Sequence, residues 1–134
     1  MLCIMPLSGC SSSPENKVID YLHKINAILD DGFQNQKSCT EITDALKNYC
    51  SEQEEIIKTS AADLVQKKSN GSLDKETAAE INKSASMILV SPTILWRCTK
   101  EKSMLKAQGE ERIQAQEALR AQNKCLEVVK ELTE

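Results

Sequence analysis

Four cysteines in the body of the chain constrain its fold more than any other feature of the sequence. Cys39, Cys50, Cys98 and Cys125 form an even set in a chain of only 134 residues. They show neither the closely spaced pairs of a zinc site nor a CxxC redox motif. Such a set is typical of small domains that fold in an oxidising compartment and are stabilised by disulfides. We therefore expect two disulfides and no metal site.

The N-terminal half of the sequence predicts two helices with clear ends. Ser13 is a favourable N-cap, Pro14 suits the first helical position, and Gly32 stands where a left-handed residue would end the helix. A capping box begins at Ser38, and apolar residues at helical spacing continue for about 30 residues, as far as Gly71. The second predicted helix is therefore unusually long.

The C-terminal half predicts further helices. The stretch SLDKETAAEINKSASMILV has helical spacing, and we expect its apolar run Met87–Val90 to be buried on several sides. A repeat of four and three residues then runs from Ile94 to Leu132, as either one long helix or two helices broken near Gly109. The expected fold class is all-α, a small bundle of three to five helices over residues 14–134.

Helix geometry restricts how the cysteines can pair. Cys39 and Cys50 lie about 16 Å apart along one predicted helix, whereas bonded cysteines have Cα atoms within about 7 Å. Cys98 and Cys125 are excluded as a pair in the same way on a straight helix. Two pairings remain, both linking the second helix to the C-terminal region: Cys39–Cys125 with Cys50–Cys98, or Cys39–Cys98 with Cys50–Cys125. We favour the first, nested pairing, and we expect a bend or break in the C-terminal segment, best placed at Gly109.

The first ten residues, MLCIMPLSGC, are an apolar run followed by LSGC at positions 7–10. This segment resembles the end of a bacterial lipoprotein signal peptide, whose lipobox is a leucine, two small residues and a cysteine. The resemblance implies that residues 1–9 are removed, that Cys10 is acylated and binds membrane lipid, and that residues 10–13 form a short linker. Because no Lys or Arg precedes Cys10, we expect the signal peptide to be truncated, with a start codon further upstream. Ser11, after the cysteine, implies the outer membrane.

Composition and motifs argue against catalysis and nucleic-acid binding. The formal charge is −3, which gives no general attraction to a polyanion. The glycines are isolated, no serine has a visible base, and the single histidine, His23, is interpreted as a surface residue beside Asp20. We therefore expect no catalytic residue and no cofactor, and a protein that is not an enzyme.

Two aromatic residues are candidates for binding a partner. Trp96 stands at the start of a predicted helix, and Phe33 follows Gly32 in the first predicted loop. Both residues fit core packing, but tryptophan is also enriched at the centres of protein interfaces. We therefore treat Trp96 and Phe33 as candidate partner-binding residues.

These observations favour a binding protein at the cell outer membrane, lipid-anchored and facing the periplasm. The leading hypothesis is an accessory factor of an envelope or secretion assembly, such as a pilotin-like lipoprotein, with a membrane-proximal protein partner. One alternative is an immunity, exclusion or inhibitor-type lipoprotein. Another is a secreted helical disulfide protein without a lipid.

Overall fold

The computed structural model describes residues 13–133, and this part of the chain is all-α with no strand. Cys10, the linker before Ser13 and the signal peptide assigned to residues 1–9 lie outside the described residues. The described part contains five helices, followed by a four-residue helical segment. They are α1 (Pro14–Gln34), α2 (Cys39–Ser69), α3 (Lys75–Val90), α4 (Thr93–Cys98), α5 (Gly109–Glu127) and the short α6 (Lys130–Thr133). The predicted fold class is confirmed.

The helices begin where the sequence provides N-caps. The Ser13 hydroxyl accepts a hydrogen bond from the amide of Asn16 at 3.1 Å, with Pro14 in the first turn of α1. Both bonds of the predicted capping box form at the start of α2, between Ser38 and Glu41. These side chains satisfy amides that have no partner inside the helix. Local chemistry therefore fixes the first two helix starts.

The directions of the helices follow from the contacts between them. Glu15 at the start of α1 pairs with Lys67 near the end of α2 at 2.7 Å, so these two helices are antiparallel. Asn26 of α1 donates to the carbonyl of Ser84 in α3 at 3.0 Å, and α3 runs in the same direction as α1. The third contact, from Cys39 Sγ to the Gln114 carbonyl at 3.6 Å, places the start of α2 beside α5. The helix α4 covers one end of the bundle, where α1 ends, and α6 packs against α2 and α3.

The core is almost entirely aliphatic. The largest fully buried side chains are Tyr21, Leu22, Ile25, Leu29, Ile42, Leu46, Ile57, Leu64, Ile81, Ile88, Val18 and Val129. On α5 the buried positions are small, chiefly Ala115, Ala118 and Ala121. Short side chains at these positions let α5 approach its neighbours closely, which accounts for a helix with so few large apolar residues.

Two disulfides link α2 to the C-terminal region, as predicted, but the favoured nested pairing is wrong. The bonds are Cys39–Cys98 and Cys50–Cys125. The helix α5 runs in the same direction as α2. Cys98, which precedes α5, therefore lies beside Cys39 at the start of α2, and Cys125 near the end of α5 lies beside Cys50, further along α2.

The break expected near Gly109 is confirmed, since residues 99–108 are not helical and α5 starts at Gly109. Gly109 has a φ of 58°, a conformation that favours glycine.

Gly32 has a different role from the one predicted. It lies inside α1, which continues to Gln34, and the chain turns instead at Gln36 with a φ of 49°. A Cβ added to Gly32 would lie 2.7 Å from Cγ1 of buried Ile42. The glycine is therefore needed for the close approach of α1 and α2 and does not terminate the helix.

Candidate functional site

The two aromatic residues chosen from the sequence lie together on the surface. Phe33 is in the last turn of α1 and Trp96 is in α4, and their ring centroids are 6.3 Å apart with an interplanar angle of 78°. This edge-to-face geometry is favourable for aromatic rings. Phe33 is 38% exposed and Trp96 is 49% exposed. We call these two residues the aromatic pair.

The short helix α4 is a firm platform for Trp96. At its start, the Thr93 hydroxyl donates to the carbonyl of Leu29 in α1 at 2.9 Å, and both atoms are buried. At its end, Cys98 is bonded to Cys39 of α2. A helix of six residues is not stable by itself, so these two attachments determine where Trp96 lies.

Arg97, next to Trp96, ties α4 to the turn after α1. Its Nε donates to the carbonyl of Lys37 at 2.9 Å and its Nη2 donates to the carbonyl of Gln36 at 2.8 Å. Lys37 in turn pairs with Asp31 at 2.6 Å, and this contact lowers the pKa of the Asp31 carboxyl and raises the pKa of Lys37. The turn beside the aromatic pair is therefore fixed by both backbone and side-chain contacts.

A lysine from the connection between α4 and α5 lies over the tryptophan. Lys102 Nζ is 4.9 Å from the centroid of the Trp96 ring, within the range of a cation–π interaction. Lys102 has a φ of 51°, which is uncommon for a residue with a side chain. Lys102 is not among the residues that the sequence pattern indicated. The signal available was the cation-rich stretch WRCTKEKSMLK that begins at Trp96.

A second feature is a groove of about 400 Å³ between α3 and the C-terminal part of α5 with α6. Its apolar lining comes from Ala85, Leu89, Leu126 and Val129.

The prediction that the run Met87–Val90 is buried on several sides is wrong. Only Ile88 of that run is buried, while Met87, Leu89 and Val90 are 50%, 61% and 77% exposed. The helix α3 packs against α1 and α6, and these neighbours leave the other faces of its last turn uncovered.

A third feature is a cavity of about 410 Å³ beside the Cys50–Cys125 disulfide. Its rim carries both charges, from Lys47, Glu54, Glu117, Arg120, Lys124 and Glu127. At its base, the buried Tyr21 hydroxyl donates to the carbonyl of Cys125 at 2.7 Å, and burial raises the pKa of Tyr21. Cys125 is in the last turn of α5, where carbonyls have no partner within the helix. Tyr21 therefore caps α5.

His23 is a surface residue paired with a glutamate. Its Nε2 is 2.9 Å from a carboxylate oxygen of Glu80 in α3, and the hydrogen bond from His23 lowers the pKa of Glu80. His23 therefore links α1 to the neighbouring helix α3 through Glu80. Within residues 13–133 no three His, Cys, Asp or Glu side chains converge on a point where a metal ion would bind.

The aromatic pair and the start of α1 lie at opposite ends of the bundle. Glu15, close to the start of α1, contacts the end of α2, whereas Phe33 lies in the last turn of α1. A helix of 21 residues is about 31 Å long. The chain that enters at Ser13 is therefore separated from the aromatic pair by nearly the full length of α1.

Comparison with known proteins adds no relative: no family model, no curated protein and no solved structure matches the chain. None of the helices in the described part of the chain combines the length and the apolar character that crossing a membrane requires.

Proposed function

We propose that this protein is a lipid-anchored binding protein of the bacterial outer membrane, facing the periplasm, and an accessory factor of an envelope or secretion assembly. Acylated Cys10 is its contact with membrane lipid, and a membrane-proximal protein is its partner. Two features of the chain support the location: the LSGC sequence before the linker, and the two disulfides, which are typical of proteins in oxidising compartments.

The observation that carries the binding role is the exposed aromatic pair. Rings that are already held in place lose little conformational freedom when a partner covers them, so most of the free energy of burying them contributes to affinity. Trp96 is held through α4 by the Cys39–Cys98 bond, and Phe33 is held by the last turn of α1. A large aromatic surface with this support is typical of the centre of a protein interface.

The position of the pair also fits an anchored protein. The linker after Cys10 leads directly into α1, and residues 10–13 span at most about 14 Å when extended. The bundle is then held close to the membrane with the start of α1 towards the lipid. The aromatic pair lies at the far end of α1, about 30 Å along the helix from the point where the linker enters, so the linker does not cover it.

Lipid attachment is tested by mass spectrometry of the mature protein from its bacterial host. We expect the N-terminal peptide to begin at Cys10 and to carry acyl chains, and we expect Cys10→Ser to release the protein from the membrane. An unmodified peptide that spans Cys10 would contradict the anchor and would favour the secreted protein without a lipid.

Partner binding is tested by site-specific cross-linking in living cells. A photoreactive residue replaces Leu105, which is 93% exposed in the same connection as Lys102. The matched control replaces Ile56, an exposed residue of α2. We expect a cross-linked envelope protein from position 105 only, and we expect Trp96→Ala to remove it. Equal cross-linking from both positions would refute a role for the pair. A cross-link to a protein from outside the cell would instead favour the immunity or inhibitor class.

A further inference from the structure

The side chains around the aromatic pair indicate the chemistry of the partner. We infer that the partner presents an acidic polypeptide segment with an apolar side chain, which packs on the aromatic pair beside Lys102. This inference rests on the proposed binding role and goes further, because it specifies the charge of the surface that binds.

Positive charge is concentrated in the stretch that follows Trp96, although the chain as a whole is acidic. Between positions 97 and 106 there are four cations and one acid, whereas the whole chain has a formal charge of −3. We call the four cations, Arg97, Lys100, Lys102 and Lys106, the basic patch. The rest of the protein therefore has a more negative formal charge than the whole chain. An acidic segment would be attracted to the basic patch and repelled by the remaining surface.

Several contacts fix parts of the basic patch, and two of its cations, Arg97 and Lys102, lie next to the aromatic pair. Lys102 Nζ lies over the Trp96 ring, and the guanidinium of Arg97 is fixed by the two carbonyls after α1. The amide of Lys100 donates to the carboxylate of Glu111, which ties the connection to the first turn of α5. The positions of the Arg97 and Lys102 charges are therefore part of the fold, while Lys106 Nζ lies 4.0 Å from a carboxylate oxygen of Glu101.

The apolar component of the site is also available to a partner. The two rings meet edge to face, which leaves part of each ring uncovered, and their exposed fractions agree with this. An aliphatic or aromatic side chain that packs on both rings would displace water from them, while a neighbouring carboxylate would reach the ammonium group of Lys102. Burial of the apolar side chain would supply affinity, and the charges would supply specificity and a faster association rate.

The charge distribution favours a polypeptide over a nucleic acid or an anionic membrane. An extended polyanion would contact the basic patch but would also lie against the acidic remainder of the protein, where it would be repelled. A short acidic segment contacts the basic patch alone. The edge-to-face rings also do not offer the parallel faces on which successive bases stack.

The test uses Trp96 as a reporter, because it is the only tryptophan of the chain. The full acylated protein in detergent is titrated with short peptides in which one phenylalanine is flanked by glutamates. Two matched peptides replace the glutamates by lysines or the phenylalanine by alanine. We expect the first peptide to shift the tryptophan emission and each of the others to bind at least about fivefold more weakly. Raising NaCl from about 50 to about 300 mM should weaken the binding several-fold.

Matched variants separate the basic patch from overall charge. Lys102→Glu should weaken binding of the acidic peptide at least about fivefold, while Lys75→Glu, which makes the same change of charge at the start of α3, should leave it within about twofold. Tighter binding of the lysine peptide, of DNA or of anionic phosphatidylglycerol vesicles, or no binding of the acidic peptide, would overturn the inference. If the acidic peptide fails but Trp96→Ala still removes the cross-link from position 105, the binding role stands and only the partner chemistry is wrong.

Discussion

Removing either disulfide should lower the free energy of unfolding by nearly the same amount, although the bonds join residues 59 and 75 positions apart in sequence. When one bond is present, the loop that the other closes no longer follows the whole chain between its cysteines. It runs through the first bond instead, along the eleven residues from Cys39 to Cys50 and the twenty-seven from Cys98 to Cys125. The effective loop is the same, about 38 residues, for both bonds. The loop-entropy relation then gives about 4 kcal/mol for each of them.

The assay is equilibrium unfolding in urea, followed by Trp96 fluorescence and by helical circular dichroism. The variants are Cys39→Ala/Cys98→Ala and Cys50→Ala/Cys125→Ala. We expect each to lose about 4 kcal/mol, and we expect the chain without either bond to lose about 8 kcal/mol, comparable with the whole stability of a typical domain.

Reduction of the natural chain is the control for the substitutions, because it opens the bonds and leaves the sulfur atoms in place. The fully reduced chain should then resemble the variant in which the four bonded cysteines are all replaced by alanine. A difference of more than about 2 kcal/mol between the two double variants, or a loss below about 1 kcal/mol in either, would refute the loop-entropy reasoning.

Three further predictions concern single residues. Gly32→Ala should destabilise the fold by about 1–3 kcal/mol despite the better helix propensity of alanine, because its Cβ would lie 2.7 Å from Ile42 Cγ1; an unchanged urea midpoint would contradict this. Tyr21→Phe should cost about 1–2 kcal/mol, because it leaves the buried Cys125 carbonyl without its donor, and the melting temperature should fall. Glu15 has a pKa below its ordinary value of 4.5, chiefly because of its hydrogen bond with Lys67. Its contribution to the free energy of unfolding is therefore present above about pH 4.5 and is lost as the pH falls through the lowered pKa. Melting temperatures measured between about pH 6 and pH 3 should therefore depend less steeply on pH in Glu15→Gln, and an identical slope would count against the pairing.

Much of the fold could be predicted because it depends on neighbours in sequence. The N-cap at Ser13, the capping box at Ser38 and the length of α2 all follow from residues three or four positions apart. Helix geometry by itself also excludes a bond between Cys39 and Cys50. The expected break before Gly109 came from the same geometry, since straight helices would not satisfy both bonds.

The candidate site could be predicted only in part. Trp96 and Phe33 were named because of their residue type, but nothing local indicates that they touch. Their contact depends on the position of α4, which is set by the Cys39–Cys98 bond and by the approach of α1 to α2 at Gly32. Lys102 joins them through a left-handed backbone conformation that the sequence does not specify.

The sequence by itself determined where the first two helices start, the need for two bonds between α2 and the C-terminal region, and the resemblance of the LSGC segment to a lipobox. Tertiary structure alone decided which cysteines pair, why position 32 requires a glycine, and why three residues of Met87–Val90 are exposed. The physical reason is the range of the interactions. Helix periodicity and capping act over one turn, whereas the direction of α5 beside α2 depends on how ten non-helical residues redirect the chain between α4 and α5.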